Sequence, residues 1–155
     1  MQSLNLPNYP KKISHLNGKA FIYDVTRRKN VALNPEEWVR QHFVNYLITE
    51  KNYPKERIAN EVTVSLNGMS RRCDTVVYNQ FIEPIVIVEY KAPSVPITQD
   101  VFEQITRYNF CLHVKILIVT NGLKQYCCRM DYETESYAYL QEIPEYEEIE
   151  RTYES

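Results

Sequence analysis

The sequence predicts an α/β (α+β) domain in which helices flank a mixed central sheet. Three observations indicate this fold: a well-capped helix, a run of three strand-like segments, and a second helix that leads into a buried strand. A strand–helix–strand connection within one sheet is parallel and right-handed. The predicted order is therefore αβββαβ, with extra edge strands.

The first helix has clear start signals. Asn34 suits the N-cap, Pro35 suits the first helical position, and Glu36 and Glu37 lie where the helix dipole favours negative charge. The helix should end near Lys51. Apolar residues at helical spacing predict its buried stripe: Val39, Phe43, Tyr46 and Leu47.

Three strands are predicted after this helix. Residues 57–66 alternate between apolar and polar, and Asn67-Gly68 is a strong tight-turn signal into residues 69–78. A turn-rich segment, 79–84, leads into residues 85–91. Because that last run is apolar on both faces, it should be a central strand.

The remaining elements follow from similar patterns. A second helical stripe is predicted from these residues: Ile97, Val101, Ile105, Tyr108 and Leu112. Residues 114–120 form the next buried strand, and residues 126–129 and 136–140 are expected to add edge strands. Upstream, residues 20–25 and 31–33 predict a short hairpin.

Length and charge limit the classes of protein. The chain has 155 residues, a net charge of −2 and only three glycines, so one domain is expected over residues 1–141, with its core at about 34–122. Residues 142–155 are predicted to be an acidic tail. The lack of a signal peptide and of a membrane-spanning run indicates a cytoplasmic protein. The four cysteines have no chelating spacing and are expected to be buried thiols.

Asp74 and Glu89 are the most informative residues. If Tyr78 pairs with Ile85 in an antiparallel hairpin, Asp74 lies directly opposite Glu89, with Cβ atoms about 4.5–5.5 Å apart. The period of two in a strand places Lys91 on that face and turns Tyr90 to the other. Two carboxylates so close repel each other unless a cation or a proton lies between them.

This pattern predicts metal-assisted phosphodiester hydrolysis. Asp74 and Glu89 would bind Mg²⁺, with Mn²⁺ as an alternative, and the Tyr90 backbone carbonyl would be a further ligand. Lys91 would orient or help deprotonate the attacking water. The alternative is a structural salt bridge, in which Lys91 neutralises Asp74 or Glu89 at the edge of the sheet.

The chain resembles the core of PD-(D/E)xK nucleases and, more closely, the N-terminal nuclease domain of the type I restriction enzyme R subunit. Four stretches carry the resemblance: residues 35–41, 71–74 and 88–93, and Gln104 with Tyr108 in a QxxxY arrangement. The resemblance spans roughly residues 34–122 and implies a restriction-endonuclease-like fold. It also implies that Asp74 and Glu89 are metal ligands and that Lys91 is the catalytic lysine.

Further site residues follow from the resemblance. Gln104 and Tyr108 would face the site or DNA, although the buried stripe of their helix also accounts for Tyr108. Many such nucleases have a glutamate on the first helix, and Glu36 is favoured for this role because Glu37 is explained by capping. Among basic residues, Arg71 and Arg72 are candidates for contacts with DNA phosphates.

Two features depart from the family pattern. Cys73, where a proline is usual, precedes Asp74, and no Walker A loop of a motor is present. The chain is thus a stand-alone relative or a fragment of a longer protein. The function predicted is a metal-dependent DNA endonuclease, with modification and specificity subunits or a motor domain as partners. The alternatives are a non-catalytic DNA-binding or subunit-interaction module and a purely structural domain.

Overall fold

The computed structural model describes the backbone of residues 1–154 and the side chains of residues 1–151. The helices are α1 (Pro35–Glu50), α2 (Gln99–Asn109) and α3 (Tyr146–Glu154). The strands are β1 (Ile13–Leu16), β2 (Lys19–Asp24), β3 (Lys29–Ala32), β4 (Ile58–Leu66), β5 (Met69–Tyr78), β6 (Pro84–Tyr90), β7 (Ile116–Thr120), β8 (Gln125–Asp131) and β9 (Ser136–Leu140). Short 3-10 turns occupy Lys55–Arg57 and Phe110–Leu112.

The predicted fold class is confirmed. Six strands form a mixed sheet in the order β4-β5-β6-β7-β8-β9, in which only the β6–β7 pair is parallel. The core elements follow the order αβββαβ, as predicted, and β8 and β9 are the expected edge strands. A separate antiparallel sheet, β1-β2-β3, contains the predicted hairpin and one strand, β1, that was not predicted.

The first helix forms as its start signals predict. The Asn34 side chain accepts a hydrogen bond from the Glu37 backbone N–H at 2.8 Å, which satisfies one free donor of the first turn. Val39, Phe43 and Leu47 are buried against the sheet, whereas Tyr46 is only half-buried. With α3, this helix covers the sheet face that includes Val86 and Val88. We call this the α1 side.

The stripe predicted for the second helix is wrong in detail. The residues of α2 that are buried are Phe102, Thr106 and Asn109, and Tyr108 is 61% exposed. Polar Thr106 and Asn109 can be buried because each donates a side-chain hydrogen bond of 2.8 Å to a carbonyl one turn earlier in the helix. Phe102 packs on the opposite sheet face, with Ile87. We call this the α2 side.

The segment predicted to be an acidic tail packs onto the domain. Ile143, Tyr146 and Ile149 recur every third residue and are buried in the core on the α1 side. The Tyr146 hydroxyl also donates to the Tyr78 carbonyl at 2.8 Å. The domain therefore extends beyond residue 141. The many acidic residues of this segment led to the prediction of a tail, because they outnumber the apolar residues of the stripe. Ser155 lies outside the described residues.

All four cysteines are free, and three of them are buried: Cys73, Cys127 and Cys128. Burial raises the pKa of each of these three thiols to about 12, so they are protonated at neutral pH. None of the helices within residues 1–154 has the length and apolar character needed to span a membrane.

Candidate active site

The β5–β6 hairpin has the predicted register where it matters for the site. Paired residues in its body are Thr75 with Val88, Val76 with Ile87, and Val77 with Val86. Tyr78, however, pairs with Pro84 rather than with Ile85, because the register shifts between Val77 and Tyr78. The anchor pair of the prediction is thus wrong by one residue. The register of the strand body still brings Asp74 level with Glu89.

Asp74 is held through both its backbone and its side chain. Its carbonyl accepts a hydrogen bond of 2.7 Å from Arg40 Nη1, which reaches the strand from α1. Its carboxylate Oδ2 accepts a hydrogen bond of 2.9 Å from the Tyr90 backbone N–H. The Asp74 side chain therefore bridges β5 to the end of β6, beside Glu89.

The carboxyl groups of Asp74 and Glu89 are close enough to interact electrostatically. Burial and then the Asp74 carboxylate raise the pKa of Glu89 to about 7, against the lowering effects of Arg71 and Lys91. Since a glutamate in water titrates near 4.3, Glu89 keeps a proton at mildly acidic pH. A raised pKa of this kind is expected for a carboxyl group that is removed from water beside a second carboxylate.

Lys91 lies beside the two acids without forming an ion pair. Its backbone N–H donates to the Thr120 carbonyl at 2.9 Å, which fixes the end of β6 against β7. Within residues 1–151, no carboxylate oxygen lies within the 4.0 Å ion-pair distance of the Lys91 ammonium. The interpretation of this cluster as a structural salt bridge formed by Lys91 is therefore wrong.

The Tyr90 side chain points to the other side of the sheet, as predicted. It is buried against Phe43, with ring centroids 6.2 Å apart, and the Arg40 guanidinium lies 5.7 Å from its ring centre. The alternation of β6 is thus intact at Glu89 and Tyr90. This alternation keeps Glu89 on the face of Ile87, the α2 side.

The donor set suits a hard divalent cation. Asp74 and Glu89 supply carboxylate oxygens, and a cation would offset the burial and the repulsion by Asp74 that raise the pKa of Glu89. No cluster of three or more acidic, histidine or cysteine side chains suited to a metal occurs among the described residues. A pair of carboxylates is still sufficient for Mg²⁺, which keeps several waters and takes substrate phosphate oxygens. The Tyr90 carbonyl stays a predicted ligand.

The structure exchanges the expected positions of Glu36 and Glu37. Glu36 was predicted to turn inward from α1, but it is exposed. Glu37 is 4% exposed, and its carboxylate binds Arg40 at 2.9 and 3.0 Å and Arg27 at 2.8 Å. The Asn34 cap uses only the Glu37 backbone, so the carboxylate is free to form these bonds.

Of the predicted DNA-binding residues, Arg71 is the one that lies near the acids, where it lowers the pKa of Glu89. The Arg71 guanidinium, on β5, lies over the exposed ring of Tyr108, on α2. This contact joins β5 to α2, and Arg71 also acts electrostatically on Glu89. Gln104, one helical turn before Tyr108, is exposed. Arg72 is exposed and lies 3.4 Å from Glu61. The structure thus brings Arg71 and Tyr108 together and leaves Gln104 and Arg72 open to solvent.

Sequence reasoning missed Arg40 and Glu61. Arg40 is 7% exposed, and its Nη1 lies 2.7 Å from a carboxylate oxygen of Glu61. The spacing of Arg40, three residues after Glu37, was an available signal for a helical ion pair. Nothing in the sequence indicated Glu61, whose φ of 56° is unusual within a strand.

Comparisons with known proteins give a family and a similar fold. The family described as type I restriction enzyme R protein N terminus matches residues 35–144, more than half of the chain. No match was found among curated proteins. A solved structure, a fragment assigned to the HsdR subunit of a type I restriction enzyme from Vibrio vulnificus YJ016, has a similar fold. The TM-score is 0.53 at 22% identity over 77% of this chain.

The present chain spans a quarter of the length of that solved structure, so the likeness concerns one domain of a larger protein. The family match covers α1, the hairpin with Asp74 and Glu89, and α2. On the strength of that match, the chain belongs to the family of type I restriction enzyme R protein N termini.

Proposed function

We propose that this chain is a nuclease module of the type I restriction R-subunit class, which hydrolyses DNA phosphodiester bonds with the help of a divalent metal ion. The observation that carries this proposal is the Asp74–Glu89 pair with the unpaired Lys91 beside it. Two half-buried acids that repel each other lower the stability of the free protein. Such a cost is commonly found where a site serves a function.

The roles of these residues follow from their chemistry. Asp74, Glu89 and the Tyr90 carbonyl would hold Mg²⁺ or Mn²⁺, which, when bound, supplies positive charge to a phosphate oxygen and lowers the pKa of water. Lys91 Nζ, as an ammonium, would donate a hydrogen bond that orients the attacking water, and the proton that this water loses would pass to a phosphate oxygen or to solvent. The same ammonium would offset the charge that develops on the phosphate in the transition state.

The surface around the acids suits a phosphate backbone. Arg71, held over Tyr108, and exposed Arg72 would contact phosphates, and Gln104 and Tyr108 would face the DNA from α2. With a net charge of −2, the chain has no general electrostatic attraction for DNA. We therefore infer that tight binding requires further parts of the assembly, such as a motor domain on a longer chain or modification and specificity subunits.

One assay tests the catalytic proposal directly. Supercoiled plasmid and single-stranded DNA are incubated with the wild type, with Asp74→Ala and with Lys91→Ala, each in Mg²⁺, Mn²⁺ or EDTA. We expect nicking by the wild type that depends on metal and is lost in both variants. Circular dichroism should give the same folded spectrum for all three proteins.

A non-catalytic interaction module is the second candidate, and the low basicity of the chain favours it. In that case the wild type would bind DNA or a partner subunit without cutting, whatever the metal. Cleavage by Lys91→Ala at the rate of the wild type would also contradict the nuclease proposal, because the activity would then not depend on the site that contains Lys91.

A further inference from the structure

The Arg40 guanidinium lies beneath the candidate site, on the α1 side of the sheet. Its Nε and Nη2 donate to the Glu37 carboxylate at 3.0 and 2.9 Å. Its Nη1 donates to the Asp74 carbonyl at 2.7 Å and lies 2.7 Å from Glu61 Oε1. A rigid guanidinium with all three nitrogens engaged fixes the position of its partners better than a single ammonium could.

Arg40 acts where the β4–β5 ladder is interrupted. Pairing is regular on both sides of the interruption, at Asn60 with Thr75 and at Val62 with Cys73, but it skips Glu61 and Asp74. Glu61 has a φ of 56°, in the left-handed region. A half-buried carbonyl outside the ladder needs another donor. For Asp74 that donor is Arg40, from a helix 34 residues earlier in the chain.

The backbone of Asp74 determines where its carboxylate points. The residue is held at its carbonyl by Arg40 and at its carboxylate by the Tyr90 N–H, 2.9 Å away. If the first bond is lost, the strand can relax at the interruption, and the carboxylate can rotate away from Glu89.

We propose that Arg40 is a positioning residue: by binding the Asp74 carbonyl across the gap in the ladder, it holds the Asp74 carboxylate beside Glu89. This inference rests on the proposed function for its importance in catalysis. Its geometric content can be tested without any metal.

Arg27 offers a matched control. Its guanidinium lies 2.8 Å from Glu37 and 2.5 Å from Asp24, so it belongs to the same half-buried ionic network as Arg40. No hydrogen bond between Arg27 and Asp74 is present in the described residues. Arg27→Met should therefore disturb the network and lower stability while leaving the Asp74 backbone in place.

The first experiment measures Mn²⁺ binding by isothermal titration calorimetry on the full chain. Arg40→Met should weaken binding by about 10- to 100-fold, the usual effect of losing a group that orients a metal ligand. Arg27→Met should stay close to the wild type, and Arg40→Lys should be intermediate. Equal losses in the Met variants of Arg40 and Arg27, or no loss in Arg40→Met, would overturn the proposal.

The second experiment follows the Tyr90 amide, which donates to Asp74, by hydrogen exchange in EDTA. Its exchange rate relative to that of Val88 should rise at least about tenfold in Arg40→Met, because a hydrogen bond of about 1.5 kcal/mol to a charged acceptor is lost. The ratio should not change in Arg27→Met. An unchanged ratio in Arg40→Met would refute the positioning role. If Arg40→Met does not fold, Arg40→Lys decides both measurements.

The two measurements also separate the inference from the proposed function. If the wild type does not bind Mn²⁺, the metal site fails, whereas the exchange ratio still decides whether Arg40 holds Asp74. If Mn²⁺ binds but the ratio is insensitive to Arg40, the metal site survives and the positioning role does not.

Discussion

Two glutamates on opposite sides of the sheet, buried Glu37 and half-buried Glu89, have opposite electrostatic surroundings. On the α1 side, burial alone would raise the pKa of Glu37, but hydrogen bonds from Arg40, Gln41 and Arg27 lower it overall. On the α2 side, burial and the neighbouring Asp74 raise the pKa of Glu89 to about 7. Glu37 is fully compensated and serves the fold. Arg71 and Lys91 compensate Glu89 only in part, which is consistent with the metal site proposed above.

Among substitutions of these two glutamates and their neighbours, the largest effect is expected for Glu89, on catalysis. Glu89→Gln should reduce DNA cleavage by about 10³-fold or more, because a metal ligand and its charge are removed together. The folded protein should be at least as stable as the wild type, since the repulsion with Asp74 disappears. Plasmid-nicking rates and urea unfolding measure both effects, with Glu103→Gln on exposed α2 surface as the control. A Glu89→Gln variant that cuts DNA normally would contradict the assignment.

Removal of the compensated glutamate should act on stability instead. Glu37→Ala leaves the half-buried Arg27 and the buried Arg40 without their shared partner, so we expect a loss of about 3–5 kcal/mol in the free energy of unfolding. Urea unfolding measures it. If the loss were below about 1 kcal/mol, in the range of exposed ion pairs, the network would not have the structural role inferred here.

The pH dependence of stability should differ between the wild type and Glu89→Gln. With a pKa near 7 in the folded state and near 4.5 in the unfolded state, Glu89 holds its proton more tightly when folded. The free energy of unfolding of the wild type should therefore fall by about 2–3 kcal/mol relative to the variant as the pH rises from 4.5 to 7.

Thermal unfolding in EDTA across this pH range gives the comparison, because other titrating groups are common to both proteins. The difference in the free energy of unfolding between the two proteins should be constant at pH values below the pKa of Glu89 in the unfolded state. It should also be constant at pH values above the pKa of Glu89 in the folded state. A difference that does not change with pH would mean that Glu89 is ionised normally in the folded protein.

The smallest effect is expected at Glu36, the neighbour of Glu37 that faces solvent. Glu36→Ala should change the free energy of unfolding by less than about 0.5 kcal/mol, as at most exposed positions, and cleavage by less than about twofold. Urea unfolding and the nicking assay check both values. A large loss of cleavage would restore Glu36 as a site residue.

Local patterns were sufficient for most of the fold. The Asn34 cap, the Asn67-Gly68 turn and the apolar run of β6 each depend on neighbours in sequence, and the elements they predict are present. The stripe of α2 was predicted wrongly because Thr106 and Asn109 satisfy their polar groups within the helix. Hydropathy gives no sign of such internal hydrogen bonds.

The part of the site that lies within one hairpin could be predicted from the sequence. The side-chain alternation of the two strands and their pairing register are enough to bring Asp74 and Glu89 together. The contributions of Arg40 and Glu61 depend on how α1 docks on a distorted part of β4, and that contact joins residues far apart in sequence. The exchange of Glu36 and Glu37 has the same cause, because which first-turn acid faces inward depends on the rotation of the docked helix.

The short connection between β5 and β6 has a kinetic consequence. Asp74 and Glu89 belong to one antiparallel hairpin, and Lys91 directly follows its second strand, so closing a small loop is enough to bring them near one another. Such local pairings can form within microseconds, before distant segments meet. The three side chains would then come together early in folding, when the hairpin forms. The docking of α1 would come later and would fix their positions.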